Sequence, residues 1–278
     1  MPSDLAAAAL GLASAASWGA GDFSGGLATR RSPVLGVLVV GQATGTALVA
    51  LVTGEAWPSG SAWAWTVGAG ASGTAGLAAL YRGLAVGRMA VVAPVSGVLS
   101  AAIPVLAGAV GEGLPPAAKL VGFALALAGI WLVAGAAGAE PTAGRAGLGL
   151  ALVAGLGFGG FLVLMHRAAE GGAFWPLACA RGTSLALSLS SALALRRRWA
   201  PPVAALPLVL ASGALDAGGN AFFVLASRAG RLDVAAVLSS LYPASTVVLA
   251  ALVLRERTTR RQGVGLAAAL AAIALIAA

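Results

Sequence analysis

Long apolar stretches separated by short polar gaps fill almost the whole sequence. We predict that each of ten such stretches crosses a bilayer as a helix, because about 20 apolar residues span a hydrocarbon core of about 30 Å. The predicted helices are 5–28, 34–52, 62–81, 89–110, 117–137, 147–165, 174–195, 203–226, 232–254 and 263–277. The pattern therefore predicts an all-α integral membrane protein with ten transmembrane helices.

The two halves of the chain resemble each other. One shift in register places Gly87-Arg88 on Gly230-Arg231, and it holds from the third helix of each half to the fifth. Because five helices is an odd number, the second half would enter the membrane from the opposite side. We predict an inverted repeat, the architecture in which a central site opens alternately to either face. Its parts are a first five-helix domain at 1–138, a linker at 139–146 and a second domain at 147–278.

Composition excludes an ordinary soluble domain. Hydrophobic residues make up 59% of the chain and charged residues 9%, with a mean hydropathy of +0.94. Soluble domains carry about 25% charged residues. The net charge of +8 does not indicate nucleic-acid binding, because the Arg residues lie in short gaps between apolar stretches and not on one basic face. We therefore expect the protein to lie in a lipid bilayer, the cell (inner) membrane of a bacterium.

The basic residues are distributed unequally between the two sides. Of the 17 Lys and Arg residues, 12 lie in gaps after odd-numbered helices and 4 in gaps after even-numbered helices, whereas Arg181 lies inside a helix. The positive-inside rule then predicts both termini outside the cytoplasm.

Residue types that enzymes need are scarce. The sequence has one His and one Cys, without HExxH, GxSxG or Walker-type motifs. Cys179 lies inside an apolar stretch, and we interpret it as a packing residue. We expect no enzyme activity, no cofactor and no metal site.

Asp216 is the strongest candidate for a functional residue. It lies near the middle of the eighth predicted helix, too deep for its short side chain to reach water at the membrane surface. Asn220 follows at i+4 and projects from the same face. Asp216 could carry a proton or act as counter-charge for a cationic or amino substrate. The alternative is a neutral Asp that is hydrogen-bonded between helices.

Other polar and aromatic residues could line the same pathway. Asp22 lies about two turns from the end of the first helix, near a gate or paired with Arg30 or Arg31. Arg181 requires an acidic partner or a substrate carboxylate. Further candidates for substrate contact are Ser96, Ser239, Trp18 and Tyr242. The serines could equally hydrogen-bond helix to helix, and the aromatic rings could stack on a substrate.

Three motifs are similar to those of the EamA-type branch of the drug/metabolite transporter superfamily. Residues 18–23 (WGAGDF) resemble the Trp-Gly-x-x-Phe motif at the start of the family's first helix. They differ from it in one extra residue before Phe and in Asp22, where the family often has Asn. Residues 92–96 (VAPVS) and 237–243 (VLSSLYP) resemble its Ser/Pro-containing central helix. Residues 254–257 (LRER) with Gln262 resemble its Gly-Glu-Arg turn. The equivalent turn in the first half, at residues 111–113 (GEG), matches the motif less well.

The resemblance implies ten helices and alternating access for small metabolites, amino acids or drugs. It favours cytoplasmic termini, and we follow the charge distribution instead because it belongs to this chain. We expect a secondary transporter without ATP use, with a small-molecule substrate and the lipid bilayer as partners and protons as candidate coupling ion. Export is favoured over uptake by family analogy alone. A passive channel and a non-transporting scaffold remain as alternatives.

Overall fold

The computed structural model describes residues 2–29, 32–54, 60, 62–86, 89–134, 145–194, 200–253 and 259–277. Regular structure in these residues is entirely helical, with eleven α-helices and short 3-10 turns at Ala169–Gly171 and Val203–Ala205. The α-helices are α1 (Pro2–Thr29), α2 (Val34–Leu51), α3 (Ala62–Val86), α4 (Met89–Glu112), α5 (Ala117–Ala134), α6 (Arg145–Ala168), α7 (Phe174–Ala194), α8 (Leu206–Ala229), α9 (Leu232–Ser239), α10 (Tyr242–Val253) and α11 (Arg260–Ala277).

Apolar helices dominate the bundle. Among the described residues, the segments Gly149–Gly171, Phe174–Ala194 and Val203–Ala229 are long and apolar enough to cross a membrane. Shorter apolar helices include Leu35–Leu51 and Ala117–Leu132. Large aliphatic side chains also cover the outside of the bundle, as lipid surroundings would require. The all-helical fold predicted from the sequence is confirmed.

Helices of the first half of the chain pack against helices of the second half. The most extensive contacts join α1 to α8 and α3 to α6, followed by α5 with α11 and α4 with α6. Helix α2 contacts both α7 and α8. Buried side chains such as Leu177 and Phe223 form one core beside α6 to α9, and Ile130 and Leu238 belong to a second core.

Serine hydroxyls and glycines hold the two main helix pairs together. Ser17 Oγ donates to the Leu215 carbonyl at 2.6 Å, and Ser212 Oγ donates to the Gly21 carbonyl at 2.9 Å. In the α3–α6 pair, Ser72 Oγ donates to the Gly157 carbonyl at 2.9 Å. Small residues let helix backbones approach closely, and hydroxyl groups supply interhelical hydrogen bonds without burying an unpaired polar group.

The predicted ninth helix, 232–254, is broken into α9 and α10 at Ser240 and Leu241. Pro243 has no backbone N–H to donate to the carbonyl four residues earlier, so the helix cannot continue unchanged through this point. Ser240 N still donates to the Ala236 carbonyl, and Leu241 N donates to the Leu238 carbonyl in a tighter turn. The break places Tyr242 at the start of α10. The other predicted helices agree with the structure within a few residues wherever it describes the chain.

Candidate functional site

An ion pair joins α7 to α8. Arg181 Nη1 donates to Asp216 Oδ2 at 2.7 Å. The Arg181 side chain is 4% exposed, whereas that of Asp216 is 43% exposed. Of the two alternatives for Arg181, the structure has the acidic partner. Asp216, expected as a proton carrier, as a counter-charge for a substrate or as a neutral hydrogen-bonded carboxyl group, is paired with this arginine in the structure.

Glycine on α2 creates the space for this arginine. A Cβ at Gly45 would overlap the guanidinium group, lying 2.5 Å from Cζ and 2.6 Å from Nε of Arg181. Nε and Nη2 of Arg181 are buried and have no hydrogen-bond partner among the described residues. The positive charge of Arg181 therefore depends on Asp216 for its compensation.

Asn220 supports Asp216 from one helical turn away. Its Nδ2 donates to the Asp216 backbone carbonyl at 2.9 Å and lies 3.5 Å from Asp216 Oδ2. Asn220 is itself buried. The predicted i+4 relationship thus brings the amide and the carboxylate together on one face of α8.

Asp22 lies across the α1–α8 interface from this pair. Its neighbour Gly21 packs on the α8 backbone, where an added Cβ would lie 3.2 Å from the Asp216 nitrogen. Asp22 and Asp216 interact electrostatically, as do Asp22 and Tyr242. The described residues provide Asp22 with no hydrogen bond or ion pair, and Arg30 and Arg31 lie outside them. Because Asp22 is exposed within α1, we infer that it faces a wet space, since lipid would disfavour its charge.

Aromatic rings adjoin these carboxylates. The Trp18 ring stacks on Phe223, with centroids 6.2 Å apart, and meets Tyr242 edge-on at 6.3 Å. Gly219 makes this possible, because a Cβ there would lie 2.7 Å from Cγ of the Trp18 ring. We call Trp18, Asp22, Arg181, Asp216, Asn220 and Tyr242 the central cluster.

Ser96 and Ser239 are buried in helix interfaces. Ser239 Oγ donates to the Gly11 carbonyl at 3.4 Å, joining α9 to α1. The Ser96 backbone carbonyl lies against Gly155 of α6, where a Cβ would approach it to 3.0 Å. The Ser239 hydroxyl thus links two helices and does not donate to the central cluster.

A second buried ion pair went unrecognised in the sequence. Asp233 is fully buried, and Arg231 donates to it from Nε at 3.1 Å and from Nη2 at 2.8 Å. Arg231 Nη2 also donates to the Gly113 carbonyl at 2.7 Å. This pair connects the α8–α9 turn to the α4–α5 turn. The available signal was an acidic residue in the first turn of a helix, directly after a basic one.

A cavity of about 90 Å³ lies away from the central cluster, near the ends of α4 and α6. Its lining includes Gly108, His166, Arg167 and Leu232. Sites for drug-sized ligands measure about 300–1,000 Å³, so this cavity is too small for such a ligand. The central cluster remains the better candidate site.

Similarity to known proteins supports the fold and the family. A solved structure described only as "Crystal structure of protein" is 20% identical, covers 97% of this chain and 95% of its own, and has a TM-score of 0.75. At that identity the likeness shows the fold alone. No curated protein matches the chain. The model of the EamA-like transporter family matches residues 145–278. The predicted resemblance to this family, whose members are membrane transporters of the drug/metabolite transporter superfamily, is thus confirmed over these residues.

Proposed function

We propose that this protein is a secondary active transporter that moves small organic metabolites, amino acids or drugs across the cytoplasmic membrane by alternating access. The observation that carries this proposal is the central cluster. It contains charged groups at mid-helix, where α1 of the first half meets α8 of the second. Charge within the membrane is unfavourable and marks substrate or ion pathways.

The packing of the helices supports an inverted repeat of residues 1–138 and 147–278, with α9 and α10 together forming a ninth crossing. In this repeat α1 corresponds to α6, and α3 corresponds to α8. The contact of α1 with α8 is therefore equivalent to the contact of α6 with α3, and these are the two most extensive contacts. The same correspondence maps α2–α7 and α5–α11 onto themselves. A pseudo-twofold relationship of this kind would let the halves rock about a central site.

Protons are the coupling ion that we propose, with Asp216 as carrier and Asp22 beside it. Protonation of Asp216 would weaken its pairing with Arg181 and free the carboxyl group for exchange with the wet space. Net movement is proposed to be export, by analogy with the family.

Counterflow in reconstituted vesicles tests the function. Vesicles loaded with excess unlabelled solute, from a panel of amino acids and cationic drugs, should transiently accumulate labelled solute above its equilibrium level. The reason is that a carrier must return loaded to exchange its cargo. The Glu170→Gln variant, altered only in an exposed ion pair with Arg167, should behave like the native chain. A channel would give flux without saturation or counterflow, and a scaffold would give no flux; either result would refute the proposal.

A further inference from the structure

We propose that the central cluster selects a small organic monocation, an amine with an apolar or aromatic body; this inference rests on the transport function proposed above. The ammonium group would lie against Asp22 and Asp216, and the body of the cation would lie against Trp18 and Tyr242. The structure thereby narrows the substrate class from small organic molecules in general to singly charged amines.

The charges of the cluster leave one negative charge uncompensated. Arg181 neutralises Asp216 at 2.7 Å. Asp22 receives no ion pair from the described residues, although it interacts with Asp216 across the helix interface. Two carboxylates and one guanidinium carry a net charge of −1, which one bound cation would cancel. An anion would instead add to the repulsion between the carboxylates.

No accessible cationic group in the described part of the cluster would pair with a substrate carboxylate. Arg181 is the one cation in it, and its side chain is 4% exposed and enclosed by Gly45 and Asp216. The other described Lys and Arg side chains belong to helix ends or connections, among them Lys119, Arg167, Arg228, Arg231, Arg260 and Arg261. A zwitterion would therefore bury its carboxylate without a cationic partner.

The aromatic side chains fit the body of such a cation. Trp18 precedes Asp22 by four residues, so the two side chains share a face of α1 about 6 Å apart along the axis. Trp18 and Tyr242 are both half-buried, which leaves part of each ring accessible. Aromatic faces attract cations, and the edge-on arrangement at 6.3 Å offers two ring orientations beside the carboxylate.

Binding of four matched probes tests the charge preference. The probes are 2-phenylethylamine (cation), phenylalanine (zwitterion), 3-phenylpropanoate (anion) and 2-phenylethanol (neutral), titrated into the purified full chain in detergent. We expect the amine to bind at least tenfold more tightly than the other three. Equal or tighter binding of phenylalanine or the anion would overturn the proposal, and so would failure of all four to bind.

Substitutions at Asp22 test its role as the cation partner. Asp22→Asn should weaken amine binding by about 10- to 100-fold, because a charge-assisted contact becomes a neutral one. Asp22→Glu should restore most of the affinity, and Glu170→Gln, at an exposed pair far from the cluster, should leave it unchanged. A folded Asp22→Asn protein with native affinity for the amine would overturn the assignment; its melting temperature verifies folding.

Counterflow with the same probes separates this inference from the transport function. Exchange of phenylalanine or the anion without exchange of the amine would refute the monocation preference while leaving carrier function intact. Exchange of the quaternary analogue trimethyl(2-phenylethyl)ammonium, which cannot cross lipid as a neutral base, would support both.

Discussion

Replacing Asp216 by Asn should destabilise the protein and abolish transport. The substitution leaves the guanidinium of Arg181 buried and uncompensated, with Nε and Nη2 already unpartnered among the described residues. Breaking a buried ion pair costs about 3–5 kcal/mol, and the 43% exposure of Asp216 places this case near the lower end. The melting temperature in detergent and the counterflow signal are the two measurements.

Two control variants separate the buried charge from the lost carboxylate. Arg181→Met combined with Asp216→Asn removes both charges and should recover much of the lost stability, but not transport. Arg181→Met alone should destabilise less than Asp216→Asn, because the remaining carboxylate is accessible to water. An unchanged melting temperature in Asp216→Asn would show that the pair contributes nothing to stability.

Replacing Gly157 by Ala should be the most damaging single-methyl change in α6. A Cβ at this position would lie 2.5 Å from the Gly76 Cα and 2.8 Å from the Ser72 carbonyl oxygen. These neighbours are backbone atoms, so α3 and α6 would have to separate, and the hydrogen bond from Ser72 to Gly157 would lengthen. Overpacking of this kind costs about 1–3 kcal/mol, measured as a lowered melting temperature.

The same helix provides a matched control at Gly149. Among the residues that the structure describes, a Cβ there would meet no atom within 4 Å. Since Ala favours a helix over Gly by about 1 kcal/mol, Gly149→Ala should leave the melting temperature unchanged or raise it. Equal melting temperatures for the two variants would contradict the close crossing of α3 and α6.

Helix positions were largely readable from the sequence because lipid demands uninterrupted apolar stretches. The start of α2 at Val34 and of α7 at Phe174 agree with prediction, since Pro and Gly punctuate the gaps before them. The break before Tyr242 was not predicted as two helices. Proline only weakens a helix, and whether it divides depends on packing around it: α4 continues through Pro104.

The central cluster was only partly readable. Asp216 and Asn220 stand out because both occur inside one apolar helix, and helical spacing puts them on one face. The partnership of Arg181 with Asp216 depends on how α7 lies beside α8, and the space for its guanidinium comes from Gly45 on a third helix. No local pattern specifies such a three-helix arrangement. Asp233 lies in the first turn of α9, and its burial results from the packing of α9 against α4, which the sequence does not specify.

The central claim is that two oppositely oriented halves surround one site. The most direct test is to find the side of the membrane on which equivalent loops of the two halves lie. In a Cys179→Ala background, single cysteines at Gly54, after α2, and at Ala200, after α7, occupy corresponding exposed positions of the two halves. A membrane-impermeant thiol reagent applied to intact cells should label one of these and leave the other unlabelled until the membrane is opened. Labelling of both from the same face would contradict an inverted repeat.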